Sequence, residues 1–165
     1  MTIDIIRRFI LMAILVLIQA LVLNRIHLFG YATPLLYLYF VISYRRNLPY
    51  WAGLTLAFVL GILMDSFTNT PGVASFSLTL VAFLQPKVLS LYLDEETEED
   101  FKPSISTMGW TKYVTFAILL SLIFCICYFS LEAFSFYHLE QWGFTLAGSW
   151  VFTLIFILVI DFVRG

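Results

Sequence analysis

Most of this sequence consists of apolar runs that are long enough to cross a lipid bilayer. Hydrophobic residues make up 61% of the 165 residues and charged residues 12%, whereas a soluble domain carries about 25% charged residues. A transmembrane helix needs roughly 20 predominantly apolar residues. The sequence therefore predicts an all-α integral membrane protein with a single transmembrane domain, residues 1–165.

We expect six transmembrane helices, one for each apolar run. The runs are residues 9–23, 26–44, 48–64, 72–92, 112–131 and 143–163. A cytoplasmic loop at about 93–111 follows the fourth run and contains the acidic residues 94–100. This acidic stretch is either a solvated loop or a surface for a basic partner.

The second run has two alternative structures because Thr33 and Pro34 lie inside it. Thr33 is a good N-cap, and proline is favoured in the first turn of a helix. Either Pro34 kinks a full-length helix, or residues 26–32 form an interfacial or re-entrant piece that precedes a short helix.

The basic residues predict the orientation of the chain. Six spans with a cytoplasmic N-terminus place all of the nine Lys and Arg residues except Arg25 on the cytoplasmic side. Cytoplasmic loops carry such an excess of basic residues. We therefore expect both termini in the cytoplasm, and we expect Asp161 and Arg164 to form an i,i+3 ion pair near the inner end of the last helix.

A stripe of small residues in the third helix ends in a carboxylate. Gly53, Ala57, Gly61 and Asp65 recur at a spacing of four residues, which places them on one face of a helix. We expect Asp65 to accept hydrogen bonds from backbone amides at the start of the next helix, around residues 72–74. An ion or substrate site at Asp65 is the alternative.

The next helix carries a facing stripe of small and weakly polar residues. Ser75, Thr79 and Ala82 recur at helical spacing after the turn at Gly72. In lipid, such stripes allow close packing between helices. We therefore interpret both stripes as helix-packing or partner-binding faces, with generic transmembrane packing as the alternative. Gln19 is an isolated polar residue in the first run, and we expect it to bond across to another helix.

The sequence contains no motif typical of an enzyme. There is no H-E-x-x-H, no G-x-S-x-G and no glycine-rich phosphate loop. Cys125 and Cys127 lie in an apolar run without a neighbouring His, so we predict no metal site. We predict no catalytic residue and no cofactor, and the basic residues are too dispersed for a nucleic-acid surface.

Four short motifs resemble the bacterial rod shape-determining membrane protein family MreD. They are L-I-Q-x-L-V-L-N at 17–24, I-H-L-F-G-Y-A-T-P at 26–34, G-x-x-x-D at 61–65 and P-G-V-A-S at 71–75. The resemblance covers nearly the whole chain. It implies a non-enzymatic scaffold of the elongasome, the peptidoglycan synthesis machinery that controls rod cell shape, in the bacterial cytoplasmic membrane.

The same resemblance implies the partners. Family members associate with MreC and work with RodA, a class B penicillin-binding transpeptidase and MreB in a larger complex, and a homodimer is a further expectation. The family is also similar in architecture to the substrate-binding subunits of energy-coupling-factor vitamin transporters. A transporter subunit is therefore the alternative function, and its polar cavity would have to be built from Gln19, Thr55, Ser75, Thr79 and Thr153.

Overall fold

The computed structural model describes residues 2–22, 25, 35–133 and 139–164. These residues form seven α-helices and no strand. The helices are α1 (Thr2–Leu21), α2 (Leu38–Ile42), α3 (Tyr50–Thr68), α4 (Val73–Tyr92), α5 (Ile105–Met108), α6 (Trp110–Ala133) and α7 (Leu139–Arg164). The predicted all-α class is therefore confirmed for the described residues.

Four helices are long and apolar enough to span a membrane. They are α3, α4, α6 and α7, and they indicate a multi-pass membrane protein. The helix α1 has 20 residues, but it begins before Arg7 and Arg8, where we expected it to begin after them. Asp4 in its first turn favours this early start because a negative charge stabilises the N-terminus of a helix.

The second predicted span is not a full-length helix in the described residues. Only Leu38–Ile42 is α-helical, and the preceding turns are closed by i→i−3 hydrogen bonds such as Tyr39 N to Leu36 O at 3.0 Å. Of the two alternatives for residues 26–44, a full-length helix is therefore wrong for the described half. The short-helix alternative is correct there, and residues 26–34 lie outside the described part of the chain.

The short helix α2 lies at the centre of the bundle. All five of its residues are buried, and it packs against α1, α4 and α6. Around it, α3 and α4 form an antiparallel hairpin, α6 packs on α4, and α7 packs on α6. Aromatic side chains fill the centre, where the rings of Tyr37 and Phe124 meet edge to face with centroids 5.8 Å apart.

The acidic loop is tied to the turn that follows α2. One terminal nitrogen of Arg45 lies 3.1 and 3.2 Å from the two carboxylate oxygens of Asp100. The backbone N–H of Arg46 donates to the carbonyl of Phe101 at 2.8 Å, and its side chain donates to the carbonyl of Thr97. The loop thus contacts basic residues of its own chain, while its remaining acids are exposed.

Candidate functional site

The carboxylate of Asp65 binds the first turn of α4. Its oxygens accept the backbone N–H groups of Gly72 at 3.1 Å, Ala74 at 2.8 Å and Ser75 at 3.1 Å, and the Thr70 hydroxyl at 3.5 Å. The predicted hydrogen bonds from the start of the next helix are therefore present. Asp65 is only 7% exposed, so these amides have a buried acceptor in place of water.

The sequence of the turn explains why an outside acceptor is required. The first N–H groups of a helix have no intrahelical partner, and the N-cap of α4 is Gly72, which has no side chain to supply one. Gly72 adopts a φ of 87°, a left-handed conformation that glycine reaches without strain. The carboxylate of Asp65, one helix away, takes over the capping role and also matches the positive end of the α4 dipole.

Gly61 lies one turn before Asp65 and marks the closest approach between α3 and α4. A Cβ atom at Gly61 would stand 2.2 Å from the Cα of Ser75 and 2.6 Å from its backbone nitrogen. Real Cβ atoms essentially never come that close to other atoms. The absence of a side chain at Gly61 therefore lets the two backbones meet where the Asp65 hydrogen bonds form.

The other stripe residues occupy different surroundings. Ala57 is fully buried, whereas the atoms nearest to a Cβ at Gly53 would belong to the side chains of Leu48 and Tyr44, at 3.3 and 3.4 Å. Ser75 is buried against Gly61, and Thr79 is half-buried and donates to the Ser75 carbonyl at 2.6 Å. The stripes on α3 and α4 thus face each other most tightly around Gly61 and Ser75.

A second buried polar contact holds the segment that leads into α2. The side-chain carbonyl of Gln19, on α1, accepts the N–H of Leu36 at 2.8 Å, so the predicted bond across the bundle is present. The hydroxyl of Thr153, on α7, accepts the N–H of Leu35 at 2.9 Å. Both Gln19 and Thr153 are 0% exposed. In a continuous helix these amides would bond to carbonyls one turn earlier, so the two contacts explain why α2 is short.

Asp161 has different partners from the one predicted. It is 2% exposed and accepts the Tyr39 hydroxyl at 3.2 Å and the backbone N–H of Ile105 at 2.7 Å. The ion pairs among the described residues both involve Arg45, with Asp4 and Asp100. The predicted pair of Asp161 with Arg164 is therefore wrong, because the carboxylate points into the bundle and caps α5.

Two polar contacts had no clear signal in the sequence. The buried Gln85 side chain, on α4, donates to the Tyr44 carbonyl at 3.3 Å. The indole N–H of Trp150 donates to the Ser121 hydroxyl at 3.0 Å and links α7 to α6. A polar residue inside an apolar run indicates that a partner is needed, but it does not identify that partner.

Among the described residues, no group of three or more His, Cys, Asp or Glu side chains could hold a metal ion. Several buried polar side chains instead bind the start of another helix or a turn. Asp65, Gln19, Thr153 and Asp161 each accept at least one backbone N–H from another element. All four side chains thus stabilise short or uncapped helices inside the bundle by hydrogen bonding to their backbone N–H groups.

Comparison of this chain with family models, with curated proteins and with solved structures finds no match.

Proposed function

We propose that this protein is a non-enzymatic, MreD-like scaffold of the bacterial cell-wall elongation machinery. The main support for this proposal is that the motifs that resemble the MreD family contain residues that make contacts between helices in this structure. The G-x-x-x-D motif supplies Gly61 and Asp65, and P-G-V-A-S supplies the backbone amides that Asp65 binds. Gln19 of the first motif binds Leu36, two residues beyond the second motif.

The hydrogen bonds of the buried polar side chains support a scaffold function over an enzymatic one. A reaction in lipid requires ionisable groups that converge on a substrate. Here, both buried carboxylates accept backbone N–H groups, Asp65 from α4 and Asp161 from α5. A protein whose interior polar groups fix its own helices is suited to present a rigid surface to partner helices.

The proposed topology has six membrane crossings, with both termini in the cytoplasm of a bacterial cell. The ends of α1 and α7 that carry Arg7, Arg8 and Arg164 lie together with Arg45 and Lys102 around one cavity. This grouping supports a common cytoplasmic side for these basic residues. In this topology, the second crossing lies within residues 26–44 and includes the buried helix α2.

The proposed partners are MreC, RodA, a class B penicillin-binding transpeptidase and MreB, or a second copy of the chain. The available contact surface is apolar. Helix α1 exposes one face, including Phe9, Ile10, Ile14 and Leu17, and α7 exposes Val151, Ile155 and Val159. In lipid, a partner helix would bind such a face by close packing.

The transporter alternative needs a polar cavity near the middle of the membrane. Four of its five candidate side chains are engaged with backbone groups: Gln19 with Leu36, Thr153 with Leu35, Thr55 with Trp51, and Thr79 with Ser75. These contacts favour the scaffold.

Affinity purification from bacterial membranes, with identification of the bound proteins, tests the two functions. Co-purification of MreC with wall synthases supports the scaffold, and co-purification of a coupling ATPase module instead overturns it. The Asp65→Leu variant serves as a control, because a misfolded bundle should lose specific partners at equal expression.

A further inference from the structure

Five basic residues from four separate parts of the chain surround one cavity. Arg7 and Arg8 come from the first turns of α1, Arg45 from the turn after α2, Lys102 from the loop before α5, and Arg164 from the last turn of α7. The cavity has a volume of about 160 Å³. Asp4 is the only acid among its described lining residues, so the lining has a large excess of positive charge.

Four of these five basic residues form no close ion pair with a described acid. Asp4 and Asp100 both pair with Arg45, at 3.9 and 3.1 Å, and their charges also act on Arg8. The charge of Asp161 partly offsets that of Lys102, but its oxygens accept hydrogen bonds from Tyr39 and Ile105. No described acid forms an ion pair with Arg7, Arg8, Lys102 or Arg164.

The surroundings of Lys102 disfavour its positive charge. Burial lowers the pKa of Lys102, and the neighbouring Arg164 lowers it further. A lowered lysine pKa means that the fold disfavours the charged form of Lys102. Such unpaired basic groups between membrane helices are typical of sites that bind lipid phosphate groups.

We propose that this cavity binds the phosphate group of an anionic membrane lipid. Guanidinium and ammonium groups form charge-assisted hydrogen bonds with phosphate oxygens, and arginine can do so with two nitrogens at once. Apolar residues close to lining residues in the sequence are available for the acyl chains, since Ile3, Ile6, Phe162 and Val163 are more than half exposed. The inference does not depend on the proposed scaffold function.

Purified full-length protein in a neutral detergent tests the proposal. Binding of phosphatidylglycerol, phosphatidylcholine and inorganic phosphate is measured by native mass spectrometry and by the shift in unfolding temperature. We expect tighter binding of phosphatidylglycerol than of phosphatidylcholine, and displacement of it only by high inorganic phosphate. Equal binding of the two lipids, or saturation by inorganic phosphate alone, overturns the lipid assignment.

A matched pair of variants separates a specific site from general attraction to anionic lipid. Lys102→Gln removes a cavity lysine, whereas Lys112→Gln removes an exposed lysine of α6 that does not line the cavity. Each cation near a lipid headgroup contributes roughly a fivefold change in affinity. We expect that loss for Lys102→Gln and little change for Lys112→Gln, and equal losses in the two variants overturn the proposal.

The unfolding temperature of the Lys102→Gln variant, measured with and without lipid, distinguishes a binding role of Lys102 from a structural one. Because burial and Arg164 disfavour its charge, the lipid-free Lys102→Gln variant should unfold at the same or a higher temperature than the unchanged protein. The same variant should gain less stability from phosphatidylglycerol. A lower unfolding temperature without lipid, together with an unchanged lipid response, contradicts a binding role.

Discussion

The Cα of Ser75 occupies the space in which a side chain at Gly61 would begin. A Cβ at Gly61 would lie only 2.2 Å from it, and the N–H of Ser75 also donates to Asp65, one turn along α3, at 3.1 Å. Close backbone approach and a buried carboxylate therefore act at the same point of the α3–α4 hairpin. A side chain at Gly61 that pushes the two backbones apart should therefore also weaken the hydrogen bonds of Asp65.

We expect Gly61→Ala to destabilise the protein, because its methyl group collides with the backbone of Ser75 and not with a movable side-chain end. Overpacking in a well-packed interior costs about 1–3 kcal/mol. Gly61→Leu should have a larger effect and reduce the amount of folded protein in the membrane. The measurements are the unfolding temperature in detergent and the membrane abundance at matched expression.

Two control variants accompany this test. Gly53→Ala adds the same methyl group where the nearest atoms belong to the side chains of Leu48 and Tyr44, at 3.3 and 3.4 Å, which can move. Val59→Leu adds bulk on α3 at a residue that is 41% exposed. Both should lose much less stability than Gly61→Ala. If Gly61→Leu and Val59→Leu are equally stable, the small-residue stripe is not a packing face.

Replacement of Asp65 should reduce the stability of the protein. We expect Asp65→Asn to be less stable than the unchanged protein, and Asp65→Leu to be the least stable of the three. Leucine leaves the N–H groups of Gly72, Ala74 and Ser75 without their acceptor, and an unsatisfied buried N–H costs about 1–3 kcal/mol. Asparagine keeps one acceptor oxygen, but its side-chain N–H₂ group would point at a backbone N–H. Both groups are donors, so no hydrogen bond forms between them. Complementation of a deletion strain and unfolding of the purified variants measure the order.

The two Asp65 variants also test for chemistry at this residue. The Asp65→Asn variant, when present at the normal protein level, should retain partial function. The role of the carboxylate is to cap α4, and asparagine keeps one of its two acceptor oxygens. Complete loss of function in a folded Asp65→Asn protein would instead indicate an ionic or catalytic role.

Thr153→Val should destabilise the protein by about 1–2 kcal/mol, because it leaves the buried N–H of Leu35 without an acceptor. The shape of the side chain is almost unchanged, so packing contributes little. The matched control is Thr55→Val, since Thr55 is exposed and bonds only to the Trp51 carbonyl of its own helix. Similar unfolding free energies for the two variants would show that Thr153 does not hold the start of α2.

The proposed topology is tested by reporter fusions. A fusion after Thr68, between α3 and α4, should report the outside of the cell. Fusions after Glu98, in the acidic loop, and after Arg164 should report the cytoplasm. The prediction rests on the positive-inside rule, by which Lys and Arg concentrate in cytoplasmic loops, and a periplasmic signal at Glu98 would rule out this orientation.

The sequence was sufficient where a structural feature depends on nearby residues. Hydropathy and length predicted α3, α4, α6 and α7 to within a few residues at most ends. The spacing of Gly61 and Asp65 predicted one helix face, and the short turn before α4 predicted the hydrogen bonds that Asp65 makes. Helical periodicity and a short connection determine these relationships without knowledge of the rest of the bundle.

The tertiary structure decided where the buried polar groups find their partners. Asp161 lies three residues from Arg164, yet it bonds to Tyr39, 122 residues away, and to Ile105, 56 residues away. Thr153 and Leu35 are separated by 118 residues. A polar group that is shielded from water must find some partner, but only the packed bundle determines which distant group is within reach. For the same reason, the sequence predicted that the basic residues share one side of the membrane, but only the fold brought five of them around one cavity.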